Sequence, residues 1–221
     1  MILGVVALAA VAWLRLAGLG DRPMHHDESL DAWFSWRLAT GQGYEYDPVY
    51  HGPLRIILTA GIFKVFGAGD LTARLLAAVC GLALLATPLL IRRTLGRAGT
   101  VGAMIALALS PSLVYFARFG REDTPFVLAS TVCTLCVVEY LRQPRAWLPP
   151  VIGISAAAAA TIKESFFITA FIMVTFLLAA VVHQWRRQPD VRWRDRPMAK
   201  RLAAFGSSPW WWALSAFLIV Y

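Results

Sequence analysis

The residues best suited to chemistry follow the first apolar segment of the chain, in the run His25-His26-Asp27-Glu28. An aspartate beside histidines can act as a general base that takes a proton from a substrate. Asp27 can instead serve as the N-cap of a helix whose first turn is acidic. Both hypotheses can hold together, because one carboxylate of the Asp27-Glu28 pair can cap the helix while the other catalyses.

The same stretch also offers ligands for a divalent metal ion. Glu28, His26 and His51 could complete such a site if the loop between them folds back. Alternatively, His26 and His51 hydrogen-bond to a bound substrate or to the backbone. Separation along the chain says nothing about distance in space, so both interpretations stay open.

A second polar group lies in the middle of the chain, where Arg118-Phe-Gly-Arg121 is followed by Glu122-Asp123. The guanidinium forks of Arg118 and Arg121 match phosphate oxygens, which makes the group a candidate phosphate site. Arg118 can alternatively snorkel from a helix end toward the membrane surface. Asp123, shortly before a proline, can also cap a helix.

The third polar group is Lys163-Glu164, directly after an alanine-rich stretch. Lys163 could offer a cation to an anionic lipid headgroup. The pair could equally mark the end of a helix at the membrane surface.

The composition shows what kind of elements must position these residues. The 221-residue chain is 58% hydrophobic and only 15% charged, with a mean hydropathy of +0.60. Soluble domains are roughly 45–50% apolar and about 25% charged. Several apolar stretches approach the roughly 20 residues that cross a bilayer as a helix, and they are continuous rather than alternating. The sequence therefore predicts an all-α integral membrane protein, a multispan helical bundle.

The charges indicate how the chain is oriented. Basic residues are concentrated in three predicted loops, at 92–97, 142–145 and 186–201. Acidic residues fall mainly in the alternate loops, at 21–47, 70, 122–123 and 164. This is the positive-inside pattern, so the basic loops should face the cytoplasm and contact anionic lipid. The net charge of +8 is therefore explained without a nucleic-acid partner.

We predict six spans in one membrane domain covering residues 1–221. Their approximate ranges are 1–19, 71–91, 100–117, 125–141, 149–162 and 165–183. A further apolar run begins near Leu202 or Trp210 and is too short to span by Tyr221. We therefore expect the sequence to be the N-terminal part of a longer protein.

The first extracytoplasmic loop, residues 20–69, should contain two helices. From Asp27, apolar residues recur at helical spacing, opposite a polar face. The apolar set is Leu30, Trp33, Phe34 and Leu38, and the polar set is Glu28, Asp31, Ser35 and Arg37. This predicts an interfacial amphipathic helix that stops near Gly41. A second helix should run from Pro53 to Phe66, with the proline in its first turn.

The predicted topology brings every polar group to one side of the membrane. Independent helix caps and snorkelling side chains would scatter over both faces. The acidic residues instead gather opposite the basic loops, with histidines and a few cations among them. We therefore expect a single extracytoplasmic polar site at the lipid boundary.

These elements resemble the GT-C superfamily of membrane glycosyltransferases. The resemblance lies in an acidic pair, a His-x-Pro turn, a Phe-Gly helix end and an Ala-Arg-Leu opening of the second span. Here they are Asp27-Glu28, His51-Gly52-Pro53-Leu54, Phe66-Gly67 and Thr72-Ala73-Arg74-Leu75. The group includes dolichyl-phosphate-mannose protein mannosyltransferases and lipid A aminoarabinose transferases. The run Met24-His25-His26-Asp27-Glu28, together with the run Tyr44 to Pro53, is more similar still to the flippase-activity-associated subfamily. The usual His-Pro-Pro is His51-Gly52-Pro53 here.

The resemblance implies a function and roles for the residues. Asp27 would be the base that deprotonates an acceptor hydroxyl, and the donor would be a polyprenyl-phosphate sugar. A single displacement would invert the anomeric centre, with Arg118, Arg121 or Lys163 offsetting charge on the leaving phosphate. The acceptor would be a glycan, lipid or protein at the outer face of the plasma membrane. The resemblance leaves metal dependence open.

Two other functions are alternatives to sugar transfer. A transporter or flippase-associated protein would bind a glycolipid without cleaving it. Such transporters often have repeated halves and broken spans, and neither is visible in the sequence. A scaffold subunit would give no reason for His25-His26-Asp27-Glu28.

Overall fold

The described part of the protein is helical throughout. The computed structural model describes residues 10–47, 50–187 and 197–207, and these ranges contain no β-strand. The helices in chain order are α1 (His26–Ala39), α2 (Leu54–Phe66), α3 (Asp70–Leu84), α4 (Arg92–Leu109), α5 (Pro111–Ala117), α6 (Asp123–Arg142), α7 (Leu148–Ile162), α8 (Phe166–Arg187) and α9 (Pro197–Gly206), and a 3₁₀ helix covers Thr87–Ile91. Residues 10–16 are also helical. The all-α prediction is confirmed.

Three helical stretches are long and apolar enough to cross a membrane. They are Asp70–Leu109, Asp123–Arg142 and Phe166–Arg187, with hydropathies of 2.1, 1.6 and 2.4, and Leu148–Ile162 is a shorter apolar helix. The count of six spans stays a prediction. The first nine residues, the basic residues 188–196 and the apolar run 208–221 lie outside the described residues.

The second and third predicted spans differ from the observed helices. Helix α3 ends at Leu84 rather than near residue 91, and the predicted basic loop at 92–97 is part of α4. The backbone of α4 is interrupted at Gly96, whose φ of 69° and ψ of 178° are not helical. The predicted span over 100–117 is broken between α4 and α5, because Pro111 has no N–H to continue the helix. The predicted basic loop at 186–201 also begins inside a helix, since α8 extends to Arg187.

Arg15 satisfies the carbonyl groups that this break exposes. In an unbroken helix the carbonyl of Leu107 would accept a hydrogen bond from residue 111, which is a proline. Arg15 Nη2 lies 3.3 Å from the carbonyl oxygen of Leu107 and 3.4 Å from that of Ala108. The Arg15 side chain is fully buried. The charge inside the first apolar segment therefore stabilises the end of α4.

Helix α1 covers His26–Ala39, where a helix was predicted from Asp27 to near Gly41. Its buried residues are Glu28, Asp31 and Ser35, the polar face. Trp33 and Trp36 on the apolar side are 46% and 41% exposed. The buried partners of this polar face are the arginines Arg55 and Arg74, and the interfacial position of α1 stays a prediction. Helix α2 runs to Phe66, as predicted, with Pro53 at its N-cap.

The chain forms two compact units. The first contains residues up to Leu128 together with Thr161–Lys163, and the second contains Ala129–Ala160 and the chain from Glu164 onward. In the first unit, Gly81 of α3 packs so closely on Ala117 of α5 that a Cβ at Gly81 would overlap the alanine. In the second unit, Arg145 pairs with the buried Glu139 at 3.2 Å. Every charged residue of the site described below belongs to the first unit, apart from Glu164.

Candidate functional site

Glu28 is a buried anchor for the segments that surround it. Its side chain is only 1% exposed. Arg74 Nε lies 2.8 Å from Oε1 and Arg74 Nη2 lies 3.0 Å from Oε2. Backbone N–H groups of Gly120 and His25 donate to the same carboxylate at 2.7 and 3.0 Å, and Arg22 Nη2 adds a contact at 3.2 Å.

These contacts keep Glu28 ionised. Burial alone would raise the pKa of its carboxyl group, but the hydrogen bonds from Arg74 and from the backbone of Gly120 and His25 outweigh burial. The pKa of Glu28 falls from 4.5 to about 2. A carboxylate this acidic and this fully hydrogen-bonded has no lone pair directed at a substrate proton.

The start of α1 also changes the interpretation of Asp27. The N-cap is His25, whose Nδ1 accepts a hydrogen bond from the N–H of Asp27 at 3.3 Å. Glu28 completes a capping box by accepting from the backbone of His25. The hypothesis that Asp27 is the N-cap is therefore wrong. The Asp27 side chain takes no part in capping and is 40% exposed.

Asp27 forms an ion pair with Arg121, which belongs to the turn before α6. Arg121 Nη1 donates to Asp27 Oδ2 at 2.7 Å, and Arg121 Nη2 donates to Glu122 Oε1 at 3.1 Å. The Nε of Arg121 is buried and has no hydrogen-bond partner. Arg121 therefore connects the Asp27 carboxylate to the Glu122 carboxylate.

Lys163 extends this network from the end of α7. Its Nζ lies 2.7 Å from Asp123 Oδ1 and 3.1 Å from Glu122 Oε1. Glu122 is buried, which by itself raises its pKa, yet its own backbone N–H, Lys163 and Arg121 lower that pKa to about 2. The two cations thus alternate with three carboxylates. We call Asp27, Arg121, Glu122, Asp123 and Lys163 the charged network.

His51 lies at the edge of the charged network. Its Nε2 is 3.5 Å from Glu122 Oε1. Its backbone has a φ of 63°, which is uncommon for a residue with a side chain. The following Gly52 presses on the end of α7, where a Cβ would overlap the carbonyl of Thr161, and its N–H donates to the carbonyl of Ile162 at 3.1 Å. A proline at position 52 could not donate this hydrogen bond, which explains the glycine in place of the second residue of His-Pro-Pro.

Three sequence-predicted candidates lie elsewhere. Arg118 Nη1 donates to the carbonyl of Leu14 at 2.9 Å, so its guanidinium binds the helical stretch at residues 10–16 that precedes α1. His26 is exposed on the first turn of α1. Glu164 is exposed and belongs to the second compact unit.

The proposed metal ligands do not fit a metal ion. Both oxygens of Glu28 accept hydrogen bonds from Arg74, which leaves this carboxylate without a coordination position. His51 is placed beside Glu122 instead. Among the residues that the structure describes, no group of three or more His, Cys, Asp or Glu side chains is arranged to hold a metal ion.

A second buried ion pair, which sequence reasoning missed, supports the network. Arg55 Nη1 of α2 lies 2.8 Å from Asp31 Oδ2 of α1 and 3.0 Å from the carbonyl oxygen of Gly120. Burial raises the pKa of Asp31 to about 6, although Arg55 opposes the shift. The sequence signal for this pair was Arg55 itself, which lies in an otherwise apolar helix, as Arg74 does in α3. A charge in such a helix needs a partner.

Long apolar helices and a buried polar site in the described residues define the class, an all-helical integral membrane protein. The sequence matches the family model described as dolichyl-phosphate-mannose-protein mannosyltransferase over residues 50–193, about two thirds of the chain. The chain therefore belongs to this family of GT-C membrane glycosyltransferases. The matched range contains His51, Arg121 and Lys163 and begins after Asp27. No curated protein and no solved structure gives a significant match.

Proposed function

We propose that this protein transfers a sugar from a polyprenyl-phosphate donor to an acceptor hydroxyl at the extracytoplasmic face of the cell membrane. The observation that carries the proposal is the 2.7 Å pair between Asp27 and Arg121, inside a network that also holds Lys163. It places a half-exposed carboxylate in contact with one cation, Arg121, and in the same network as a second, Lys163. A base and a phosphate-binding group are the two parts that this reaction needs.

The reaction proceeds by one displacement. Asp27 accepts the proton of the acceptor hydroxyl, whose oxygen attacks the anomeric carbon of the donor. The bond between that carbon and the phosphate oxygen breaks, and polyprenyl phosphate leaves with the bonding electrons. The anomeric centre is inverted. Glu28 serves as a positioning residue, since its oxygens are already occupied by Arg74, Gly120 and His25.

Arg121 and Lys163 stabilise the charge that develops on the leaving phosphate. Electrostatic stabilisation of this kind often accelerates an enzymatic reaction more than any other single effect. Without donor, the Arg121 guanidinium occupies Oδ2 of Asp27 at 2.7 Å. A donor phosphate that takes over the Arg121 guanidinium releases Asp27 to act as a base. The network therefore couples donor binding to activation of the acceptor.

The test compares Asp27→Asn with Glu45→Gln in the purified protein, using labelled polyprenyl-phosphate sugars and measuring the release of free polyprenyl phosphate. Loss of a general base should lower the rate by about 10²- to 10⁴-fold. Glu45 is exposed in the loop before α2 and lies outside the charged network, so its substitution should leave transfer unchanged.

Two outcomes would contradict the proposal. Retained transfer in Asp27→Asn would remove Asp27 as the base. Binding of the donor by the unsubstituted protein without release of polyprenyl phosphate, across a panel of acceptors, would favour a glycolipid carrier over a transferase.

A further inference from the structure

A cavity of about 680 Å³ lies beside the interruption of α4, and none of its lining residues belongs to the charged network. Three arginines line it together with apolar side chains. The set is Arg92, Arg93 and Arg97 with Leu89, Val101 and Met104. The cavity thus combines a cationic side with an apolar side.

The backbone at Gly96 brings the arginines to the same cavity. Its φ of 69° interrupts the helix between Arg93 and Arg97. The buried Thr100 fixes this geometry, because its Oγ1 donates to the carbonyl of Gly96 at 2.7 Å. A Cβ at Gly96 would meet nothing within 4 Å, so the backbone here borders open space.

The charge of this region is unusually one-sided. No aspartate or glutamate occurs between Asp70 and Glu122. The segment that forms the cavity therefore carries three arginines and no carboxylate of its own. Guanidinium groups bind phosphate oxygens through paired, charge-assisted hydrogen bonds. The stretch is also part of Asp70–Leu109, which is apolar enough to lie in a membrane.

We propose that this cavity is a binding site for an anionic phospholipid. Its headgroup phosphate binds Arg92, Arg93 and Arg97, and its acyl chains lie against Leu89, Val101 and Met104. The apolar side favours a lipid over a soluble phosphate, which would leave that surface without a partner. This site is independent of the proposed transfer reaction.

The test measures lipid retention by native mass spectrometry of the full chain, with phosphatidylglycerol, phosphatidylcholine and inorganic phosphate as probes. The variant Arg92→Gln/Arg93→Gln/Arg97→Gln should bind phosphatidylglycerol more weakly by on the order of 100-fold, because each arginine contributes about fivefold to the affinity for an anionic lipid. Arg186→Gln/Arg187→Gln, at the exposed end of α8, is the matched control and should retain the lipid.

Four results would overturn the site. The first three are unchanged retention in the triple variant, an equal loss in the control, and equal binding of phosphatidylcholine. The fourth is displacement of the lipid by inorganic phosphate at equal concentration, which would identify a soluble-anion site instead. A triple Arg→Lys variant keeps the charge and should recover part of the affinity. This recovery would show that the affinity lost in the triple Arg→Gln variant is not caused by unfolding.

Discussion

At the scale of single residues, the neighbours Asp27 and Glu28 have opposite surroundings. Glu28 points inward to Arg74 and two backbone N–H groups and is 1% exposed, whereas Asp27 is 40% exposed and bound to Arg121. Successive residues on a helix point about 100° apart, so one turn can hold both environments. One carboxylate therefore holds the structure together while its neighbour stays accessible to a substrate.

Glu28 should make the protein sensitive to acid. Its pKa is 4.5 in the unfolded chain and about 2 in the folded protein, so the unfolded state binds more protons between these values. The stabilisation is complete above pH 4.5 and is lost as the pH falls toward 2. Glu28→Gln should lower the free energy of unfolding at neutral pH by about 3–5 kcal/mol, as expected for breaking a buried pair.

The measurement is denaturant unfolding in detergent, followed by circular dichroism from pH 7 downward. Glu28→Gln should also show a shallower loss of stability in acid than the unsubstituted protein. Glu45→Gln is the matched control. Identical acid curves for Glu28→Gln and the unsubstituted protein would contradict this account.

The sequence predicted which residues form the site, but not which carboxylate is buried in an ion pair and which stays exposed. It brought Asp27, Arg121, Asp123 and Lys163 to one place as candidates, and they are in contact here. It could not separate Asp27 from Glu28, because adjacency along the chain does not reveal which side chain turns toward a buried arginine. Their catalytic and binding roles stay predictions.

At the scale of helices, the break at Ser110–Pro111 is stabilised by a side chain from a distant segment. Arg15→Leu should lower the free energy of unfolding by about 1–3 kcal/mol, because buried carbonyl oxygens lose their donor. Pro111→Ala restores an N–H that can bind the carbonyl of Leu107. Arg15→Leu should therefore cost less in the Pro111→Ala background.

A double-mutant cycle on thermal unfolding measures this coupling. If Arg15→Leu costs the same in both backgrounds, Arg15 does not act through the carbonyl groups at the end of α4.

The contact between Gly52 and the end of α7 gives a second prediction for this scale. Gly52→Ala should lower the free energy of unfolding by about 1–3 kcal/mol, since its methyl group would overlap backbone rather than a movable side chain. It should also disturb His51 beside Glu122 and lower activity. The matched control is Gly61→Ala in α2, where a Cβ meets nothing within 4 Å.

Thermal unfolding and the transfer assay test both glycine variants. Gly61→Ala should be neutral or stabilising by about 0.5–1 kcal/mol, since alanine favours the helix. Equal effects of the two substitutions would contradict the close approach at Gly52.

Helix positions were largely predictable, and helix breaks were not. Apolar runs and Pro53 marked the start and end of α2, and periodicity marked α1. Gly96 and Pro88 mark the interruption of α4 and the end of α3, but the apolar and basic runs continue past both residues, so the runs alone did not reveal the breaks. Periodicity also separated the two faces of α1, but it did not reveal that the polar face pairs with the buried Arg55 and Arg74.

For the whole molecule, the distribution of apolar surface matches a protein in lipid. The most apolar window of α8 contains no buried residue, and Phe167 and Phe171 are each at least 70% accessible. Soluble proteins rarely expose such a continuous apolar surface. Composition alone therefore predicted the class, because it does not depend on where each helix begins or ends.

The proposed orientation can be tested in intact cells. Cysteine substitutions at Glu45 and Ala98, both exposed, are made after replacing Cys80, Cys133 and Cys136 by alanine. A membrane-impermeant maleimide should label position 45 from outside and reach position 98 only after permeabilisation, because the positive-inside pattern predicts that the basic segment faces the cytoplasm. Labelling of both positions in intact cells would contradict the orientation.

The backbone of Gly120 has a consequence for how this architecture can diversify. Glu28 holds its N–H at 2.7 Å and Arg55 holds its carbonyl at 3.0 Å, so the turn that carries Arg121 cannot swing without breaking a buried contact. In the proposed transfer reaction, a new acceptor preference would therefore have to arise in segments that are not tied down in this way.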